Sequence, residues 1–192
     1  MNFKLFSLTV ILFTAAAFAG TDSIIDNNRA FKIEYKKGLP AGAYSPSLPL
    51  VTTDGEQVLL SKITEPISIV VFVSADDPDC CQINSQLSSI AAKFSDEFVS
   101  VIQISMPNET TPEGSACVEI CNPFDKNLIV LNDKHGIAWK GYRYPDTETV
   151  FLVDDDNKVI AVEELDQLKE IEQKAESINE KLRDQFDEAF LG

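Results

Sequence analysis

The chain has 192 residues, which is enough for one domain with a single hydrophobic core. Its formal net charge of -15 at pH 7 excludes functions that need clustered basic residues, such as binding the backbone of nucleic acid or an anionic membrane surface. A single histidine and the absence of two spaced CxxC pairs leave a tetrahedral zinc site short of ligands, so we expect no metal and no cofactor.

The N-terminus has the pattern of a secretion signal. Lys4 supplies a positive start, Leu5 to Phe13 form an apolar run, and Ala17 to Ala19 give the small-x-small pattern of a cleavage site. A membrane anchor is the alternative, but the run is shorter than the roughly 20 residues that span a bilayer. The sequence therefore predicts a signal peptide over residues 1–19, a secreted or periplasmic location, and no stable membrane insertion after cleavage.

Beyond the signal, we expect a leader over residues 20–44 and one α/β domain over residues 45–192. Ile67 to Val73 is a nearly continuous apolar run, typical of a central strand that is covered on both faces. A turn at Asp54-Gly55 indicates a hairpin at the start of the domain. Further strands are predicted at Gln57 to Leu60 on an edge, Phe98 to Ile104, Leu128 to Leu131, and, as an antiparallel pair, Thr149 to Val153 and Val159 to Val162.

Two segments have helical periodicity. From Cys80 onward, apolar residues recur at spacings of one helical face, so strand, helix and strand form a parallel crossover. The chain closes with a long apolar stripe from Leu165 to Phe186 among charged residues. This stripe predicts a helix that covers the sheet, with a coiled-coil or partner-docking helix as the alternative. Between Met106 and Phe124 lies an insertion with a possible short helix around Ala116 to Cys121.

All four cysteines follow the cleavage site, in a context where disulfides persist. A bond between the neighbours Cys80 and Cys81 would need a strained ring, so each is expected to pair elsewhere or stay reduced. Cys117 and Cys121 are close enough in sequence to pair with each other. They either staple the insertion or serve as a second thiol for another cysteine, and the spacing leaves both possibilities open.

The order of these pieces resembles the thioredoxin-like superfamily, and specifically the peroxiredoxins of the alkyl hydroperoxide reductase and thiol-specific antioxidant type. The resemblance implies a three-layer sandwich in which helices flank a central mixed β-sheet. Its carriers lie between about Pro46 and Leu168: Ser45 to Leu50 with Asp54-Gly55, Val70 to Phe72, Asp76 to Cys80, Val101 to Ser105, and Thr149 to Asp154.

Cys80 lies where the central strand, Ile67 to Val73, passes to the first predicted helix. If Asp77 is the N-cap and Pro78 the first helical residue, the helix end favours a thiolate, which is the nucleophilic form. The carboxylates of Asp76, Asp77 and Asp79 oppose it. In the peroxiredoxin pattern of Pro, Thr and Cys, these positions read Val73, Asp77 and Cys80, so the cysteine alone is kept.

These observations predict an exported thiol-dependent oxidoreductase that performs peroxide reduction or thiol-disulfide exchange with Cys80. The resemblance to two-cysteine peroxiredoxins implies that Cys117 or Cys121 resolves the oxidised Cys80, and that the partner is a thiol reductant or a disulfide-bearing protein. One alternative is a non-catalytic binding or scaffold protein, with Tyr142, Tyr144 and the acidic helix as contact surfaces. Another is a carrier of a soft metal ion through Cys80 and Cys81.

Two further features lie near Pro145. Trp139, Tyr142 and Tyr144 could form the floor of a substrate groove, although such aromatic clusters are commonly part of a core. His135 precedes a glycine turn and is expected on the surface rather than in a catalytic site.

Overall fold

The computed structural model describes residues 37–62, 66–74, 77–95, 97–106, 128–146 and 149–191. Residues 36–192 form one compact unit. Within the described ranges, no helix combines the length and the apolar character needed to cross a bilayer. The predicted signal peptide, most of the predicted leader, Cys117 and Cys121 lie outside the described residues.

One mixed sheet forms the centre of the unit. Its strands lie in the order β2-β1-β5-β4-β3-β6-β7, with β3, β4 and β5 parallel to one another and the other neighbouring pairs antiparallel. The strand bounds are β1 Pro49–Thr52, β2 Gln57–Leu59, β3 Ile67–Ser74, β4 Val99–Met106, β5 Leu128–Asn132, β6 Thr149–Asp154 and β7 Val159–Glu164. The predicted hairpins, the edge position of β2 and the parallel crossover from β3 to β4 are thereby confirmed.

Helices cover both faces of this sheet. Among the described residues they are α1 Cys80–Lys93, α2 Ile137–Gly141 and α3 Leu168–Leu191, and 3-10 turns lie at Leu60–Lys62 and Leu165–Gln167. α1 packs on β4 and β5, and α3 packs on β3, β6 and β7. The predicted covering role of the C-terminal helix is confirmed, because its apolar stripe is buried against the sheet at Leu168, Ile171 and Ala175.

The core is divided by the sheet into two clusters because successive side chains of a strand point to opposite faces. Ile69, Val71 and Val73 of β3 face α1 and α3. Val70 and Phe72 face the other way, toward α2 and the segment before β1. Because both faces are covered, β3 is apolar without interruption over most of its length, as the sequence indicates.

Residues 38–44 take part in this packing. Leu39 is buried in the α2-side cluster. The backbone N–H of Gly42 donates to the carbonyl of Val159 at 2.7 Å, and the N–H of Val159 donates to the carbonyl of Ala43 at 2.8 Å. The segment before β1 is thus hydrogen-bonded to the far hairpin of the sheet.

Candidate functional site

The parallel strands of the sheet end along one edge, and the first helix begins there. Ser74, the last residue of β3, pairs with Met106, the last of β4, and Ser105 pairs with Asn132, the last of β5. Chain segments that leave the carboxyl ends of parallel strands meet at such an edge, which is where α/β proteins commonly place their sites. Cys80 is the first residue of α1.

The turn before α1 is closed by Asp77. Its Oδ1 accepts a hydrogen bond from the backbone N–H of Asp79 at 2.9 Å, which closes an Asx turn ahead of the helix. The N–H of Cys80 donates to the carbonyl of Asp77 at 3.1 Å, a short-range bond of 3-10 type. The prediction of Asp77 as the N-cap is wrong, because the N-cap of α1 is Asp79, which makes no side-chain capping hydrogen bond. The predicted helix start is wrong by two residues, because Pro78 and Asp79 form this tight turn and the regular helix begins at Cys80.

The two adjacent cysteines have different environments. Cys80 carries a thiol and is 7% exposed, in the apolar cluster under α1. Cys81 is exposed and disulfide-bonded, and its partner lies outside the described residues. The buried stripe of α1 includes Cys80, Ile83 and Leu87, and Cys81 falls off that stripe. The helical spacing was thus the signal in the sequence that separates an interior Cys80 from a surface Cys81.

This arrangement bears on two predicted roles of the cysteines. The soft-metal carrier needs two thiolates, and in the structure Cys81 is engaged in a disulfide instead. No cluster of three or more potential metal ligands occurs among the described residues. The proposed second thiols, Cys117 and Cys121, lie outside the described residues, so their relation to Cys80 stays a prediction.

The aromatic residues after β5 do not form one groove. Tyr142 is fully buried, its hydroxyl shares a hydrogen bond of 2.6 Å with Ser45, and burial raises its pKa to about 12. Its predicted role in a groove or contact surface is therefore wrong, since the ring fills the core against Phe72. Trp139 and Tyr144 are partly exposed and pack edge to face, 4.9 Å between ring centroids.

Asp133 explains how the short helix α2 forms and why the sequence does not reveal it. Its two carboxylate oxygens accept the backbone N–H groups of Ile137 at 2.7 Å and Trp139 at 2.9 Å. Gly136, which lies between Asp133 and the first residue of α2, adopts a left-handed conformation, with φ of 63°. His135, in the same turn, is exposed, which confirms its predicted surface position.

A groove runs along α1 from the turn that precedes the helix. It lies between α1 and the start of α3 and has a volume of about 590 Å³. Ile83 and Ile90 contribute apolar side chains, and Asp77, Asp79 and Asp166 contribute carboxylates. An extended segment of another protein bound here would lie next to the first turn of α1.

Three buried polar residues at this edge were not identified from the sequence. Gln103 and Ser105 of β4 and Asn132 of β5 are each at most 9% exposed. They lie within or at the end of strongly apolar strands, and a single polar residue inside such a run gives no periodic signal.

Comparison with known proteins identifies the fold. No protein-family model matches the sequence, and no curated protein matches it either. Solved structures do match: the thioredoxin domain of a thiol-disulfide oxidoreductase from Bacteroides vulgatus has a TM-score of 0.58 at 20% identity, over 73% of this chain and 99% of that one. A proposed protein disulfide isomerase from Bacteroides thetaiotaomicron has a TM-score of 0.63 at 15% identity, over 76% and 94%.

A secreted disulfide oxidoreductase from Mycobacterium tuberculosis is similar as well, with a TM-score of 0.51 at 18% identity, over 62% of this chain and 83% of that one. At these identities the comparison shows the fold and not the activity. The predicted thioredoxin-like α/β fold is confirmed. The more specific resemblance to peroxiredoxins stays a prediction.

Proposed function

We propose that this protein performs thiol-disulfide exchange after export, and that the disulfide of Cys81 at the start of α1 is its reactive group. The observation that carries the proposal is an exposed, disulfide-bonded cysteine next to a buried thiol in the first turn of the helix. The solved structures that share the fold include a thiol-disulfide oxidoreductase and a secreted disulfide oxidoreductase, which supports the same chemistry for this protein. The partner would be a protein that bears thiols or a disulfide.

The exchange begins when a substrate thiolate attacks Sγ of Cys81. A bond forms between these two sulfurs, the bond from Cys81 to its present partner breaks, and the partner sulfur leaves as a thiolate that takes a proton from solvent. A second substrate thiolate then attacks the mixed disulfide and releases the oxidised substrate and the thiolate of Cys81. Two electrons pass from the substrate dithiol to the protein, and a disulfide-bearing partner reoxidises it.

The start of α1 suits the thiolate that this reaction produces. Backbone N–H groups of the first turn and the positive end of the helix dipole stabilise negative charge on Cys81. Asp77 and Asp79, on the preceding turn, act against it because like charges repel. We therefore expect a thiolate that leaves readily but less so than at a helix start without carboxylates.

The partner sulfur of Cys81 completes the proposal. The chain contains two cysteines besides the adjacent pair, Cys117 and Cys121. We assign one of them to the disulfide with Cys81 and leave the other as a second thiol. Cystine mapping by mass spectrometry of the mature protein identifies which one is bonded, and a disulfide between Cys117 and Cys121 would refute the assignment.

A second candidate function is peroxide reduction by Cys80, favoured by the burial of this thiol. A side chain that is 7% exposed is open to a small oxidant but not to a disulfide in another protein. The thiolate of Cys80 would attack one peroxide oxygen, break the O–O bond and become a sulfenic acid, with water formed from the other oxygen. The remaining thiol of Cys117 or Cys121 would condense with it to a disulfide and a second water. Two external thiols would then reduce this disulfide to two thiols and themselves become a disulfide.

Cysteine variants separate these functions. The oxidised protein is mixed with a synthetic peptide that carries two reduced cysteines, and disulfide formation in the peptide is followed by mass spectrometry. We expect Cys81→Ser to reduce the rate to that of peptide alone and Cys80→Ser to leave it intact. Hydrogen peroxide consumption in the presence of a thiol reductant is the second assay, and there the effects of the two variants should be reversed.

Two results would overturn the proposal. If peptide oxidation by the wild type does not exceed the rate without protein, and peroxide is not consumed, the fold serves binding and not catalysis. If Cys81→Ser oxidises the peptide as fast as the wild type, another sulfur is the reactive one.

A further inference from the structure

Buried polar atoms without partners are concentrated at the base of α1. Both amide atoms of Gln103, the hydroxyl of Ser105 and Oδ1 of Asn132 have no hydrogen-bond partner in the part of the chain that the structure describes. All three side chains are more than nine-tenths buried. Buried polar groups are nearly always satisfied by protein or by ordered water, because leaving them bare is costly.

The three residues share one face and one end of the sheet. Ser105 pairs with Val73 of β3 and with Asn132 of β5, and Gln103 precedes Ser105 by two residues and so points to the same face. α1 packs on β4 and β5 from this side, and Cys80 is buried in the same cluster as Val73. The polar groups therefore lie on the sheet face that α1 covers, at or near the carboxyl ends of the strands, which is the end of the sheet where α1 begins with Cys80.

We propose that Gln103, Ser105 and Asn132 form a buried hydration site whose water molecules solvate the sulfur of Cys80 when it ionises. The amide and hydroxyl groups are neutral and offer both donors and acceptors, so bound water can turn its hydrogens toward a thiolate or its oxygen toward a thiol. Apolar burial alone disfavours a thiolate. The use of the site rests on the second candidate function, peroxide reduction, since an ionised Cys80 matters only if this sulfur takes part in the chemistry.

Charged groups also surround this end of α1. Asp77 and Asp79 lie on the turn itself. Asp133, which follows β5, uses both carboxylate oxygens to hold α2. Asp166 and Lys169 line the groove on the α3 side. Within the described ranges, the polar residues of β4 and β5 that share the sheet face with Cys80 are thus neutral, and a change at Gln103 alters hydration without altering charge.

Gln103→Leu and Ser105→Ala test the site in the full-length mature protein with the Cys81 disulfide intact. The rate of alkylation of Cys80 by iodoacetamide is measured against pH, with mass spectrometry to identify the modified residue. The matched control is Ser100→Ala on the same strand, whose hydroxyl shares a buried hydrogen bond of 2.9 Å with Ser68. Urea unfolding of each variant shows whether it is folded and how its stability changes.

We expect the pH midpoint of Cys80 alkylation to rise by about one unit in Gln103→Leu and to rise in the same direction in Ser105→Ala, with no change in the control. A high-resolution crystal structure of the wild type should show ordered water on the amide of Gln103. Unchanged midpoints in both folded variants, or a site without water, would overturn the proposal. If Gln103→Leu fails to fold, the proposal is tested by the pH midpoint of Cys80 alkylation in Ser105→Ala and by the crystal structure of the wild type.

The exchange assay with the dithiol peptide keeps the two proposals apart. If the protein oxidises the peptide but the pH midpoint of Cys80 alkylation does not shift in the variants, the hydration site alone is rejected. A shifted midpoint in a protein that neither oxidises the peptide nor consumes peroxide rejects the proposed function alone.

Discussion

Asp77 combines two roles that a pair of substitutions can separate. Its side chain holds the N–H of Asp79 at 2.9 Å, and its charge lies on the turn that leads into the cysteine pair. Asp77→Asn keeps a side-chain oxygen for the hydrogen bond and removes the charge. Asp77→Ala removes both.

The expected magnitudes differ for stability and for reactivity. Loss of one side-chain hydrogen bond costs about 1 kcal/mol, so Asp77→Ala should lower the free energy of unfolding by that amount and Asp77→Asn by little. A loss of about 1 kcal/mol corresponds to a decrease in Tm of roughly 2–4 °C in a protein of this size. For two charges separated by roughly 7 Å in a water-like dielectric, removing one is worth about 0.6 kcal/mol, or a factor of about three. In both variants, iodoacetamide should therefore alkylate reduced Cys81 about threefold faster than in the wild type, at a fixed pH below the midpoint of the pH dependence of alkylation.

The assays are urea unfolding and iodoacetamide alkylation of the reduced protein, read at Cys81 by mass spectrometry. Asp155→Asn is the matched control, because Asp154 pairs with Ile67 and the β6–β7 turn thus lies at the opposite end of the sheet from the start of α1. Equal stabilities of the Asn and Ala variants would refute a stabilising role for the hydrogen bond from Asp79 to Asp77. Alkylation at the wild-type rate in both would refute the opposition between carboxylate and thiolate.

Three further substitutions test the packing that positions the site. Tyr142→Phe should destabilise the protein by about 1 kcal/mol at pH 7, because the hydrogen bond with Ser45 is lost. Because burial raises the pKa of Tyr142 to about 12, the wild type should lose stability as pH rises from about 10 to 12, and the variant should lose less, measured by urea unfolding at each pH. Gly141→Ala should cost about 1–3 kcal/mol, since a Cβ there would lie 2.8 Å from Cδ1 of Leu48, and an unchanged urea midpoint would contradict this. Asn179→Ala should cost about 1–3 kcal/mol, because its buried amide bonds to the segment before β4 at 3.2 and 2.8 Å; thermal unfolding at the wild-type Tm would refute it.

The sequence predicts those parts of the fold that repeat a pattern over many residues. The apolar run of β3 and the stripe of α3 each extend over enough positions to define a period, and both elements lie where expected. α2 has five residues, less than two turns, and depends on the carboxylate of Asp133 from outside the helix. Such a helix follows from a tertiary contact and has no periodic signal of its own.

The site was predictable in its location but not in its details. The passage from β3 to α1 identifies Cys80, yet an exposed Cys81 in a disulfide depends on a residue distant in sequence. The burial of Gln103 is likewise set by what α1 covers, and the sequence of β4 by itself does not reveal it. Local patterns specify elements, whereas the environment of a single side chain is set by the elements packed around it.

A redox titration of Cys81 tests the central claim most directly. The purified mature protein is equilibrated with glutathione buffers of stepped thiol to disulfide ratio, free thiols are blocked, and the reduced fraction of Cys81 is read by mass spectrometry. A redox-active disulfide should pass through one transition within the range of these buffers, in the wild type and in Cys80→Ser alike. A disulfide that stays intact in fully reduced glutathione, and opens only when urea unfolds the protein, would show that Cys81 is part of a structural cross-link and that the exchange reaction is not its function.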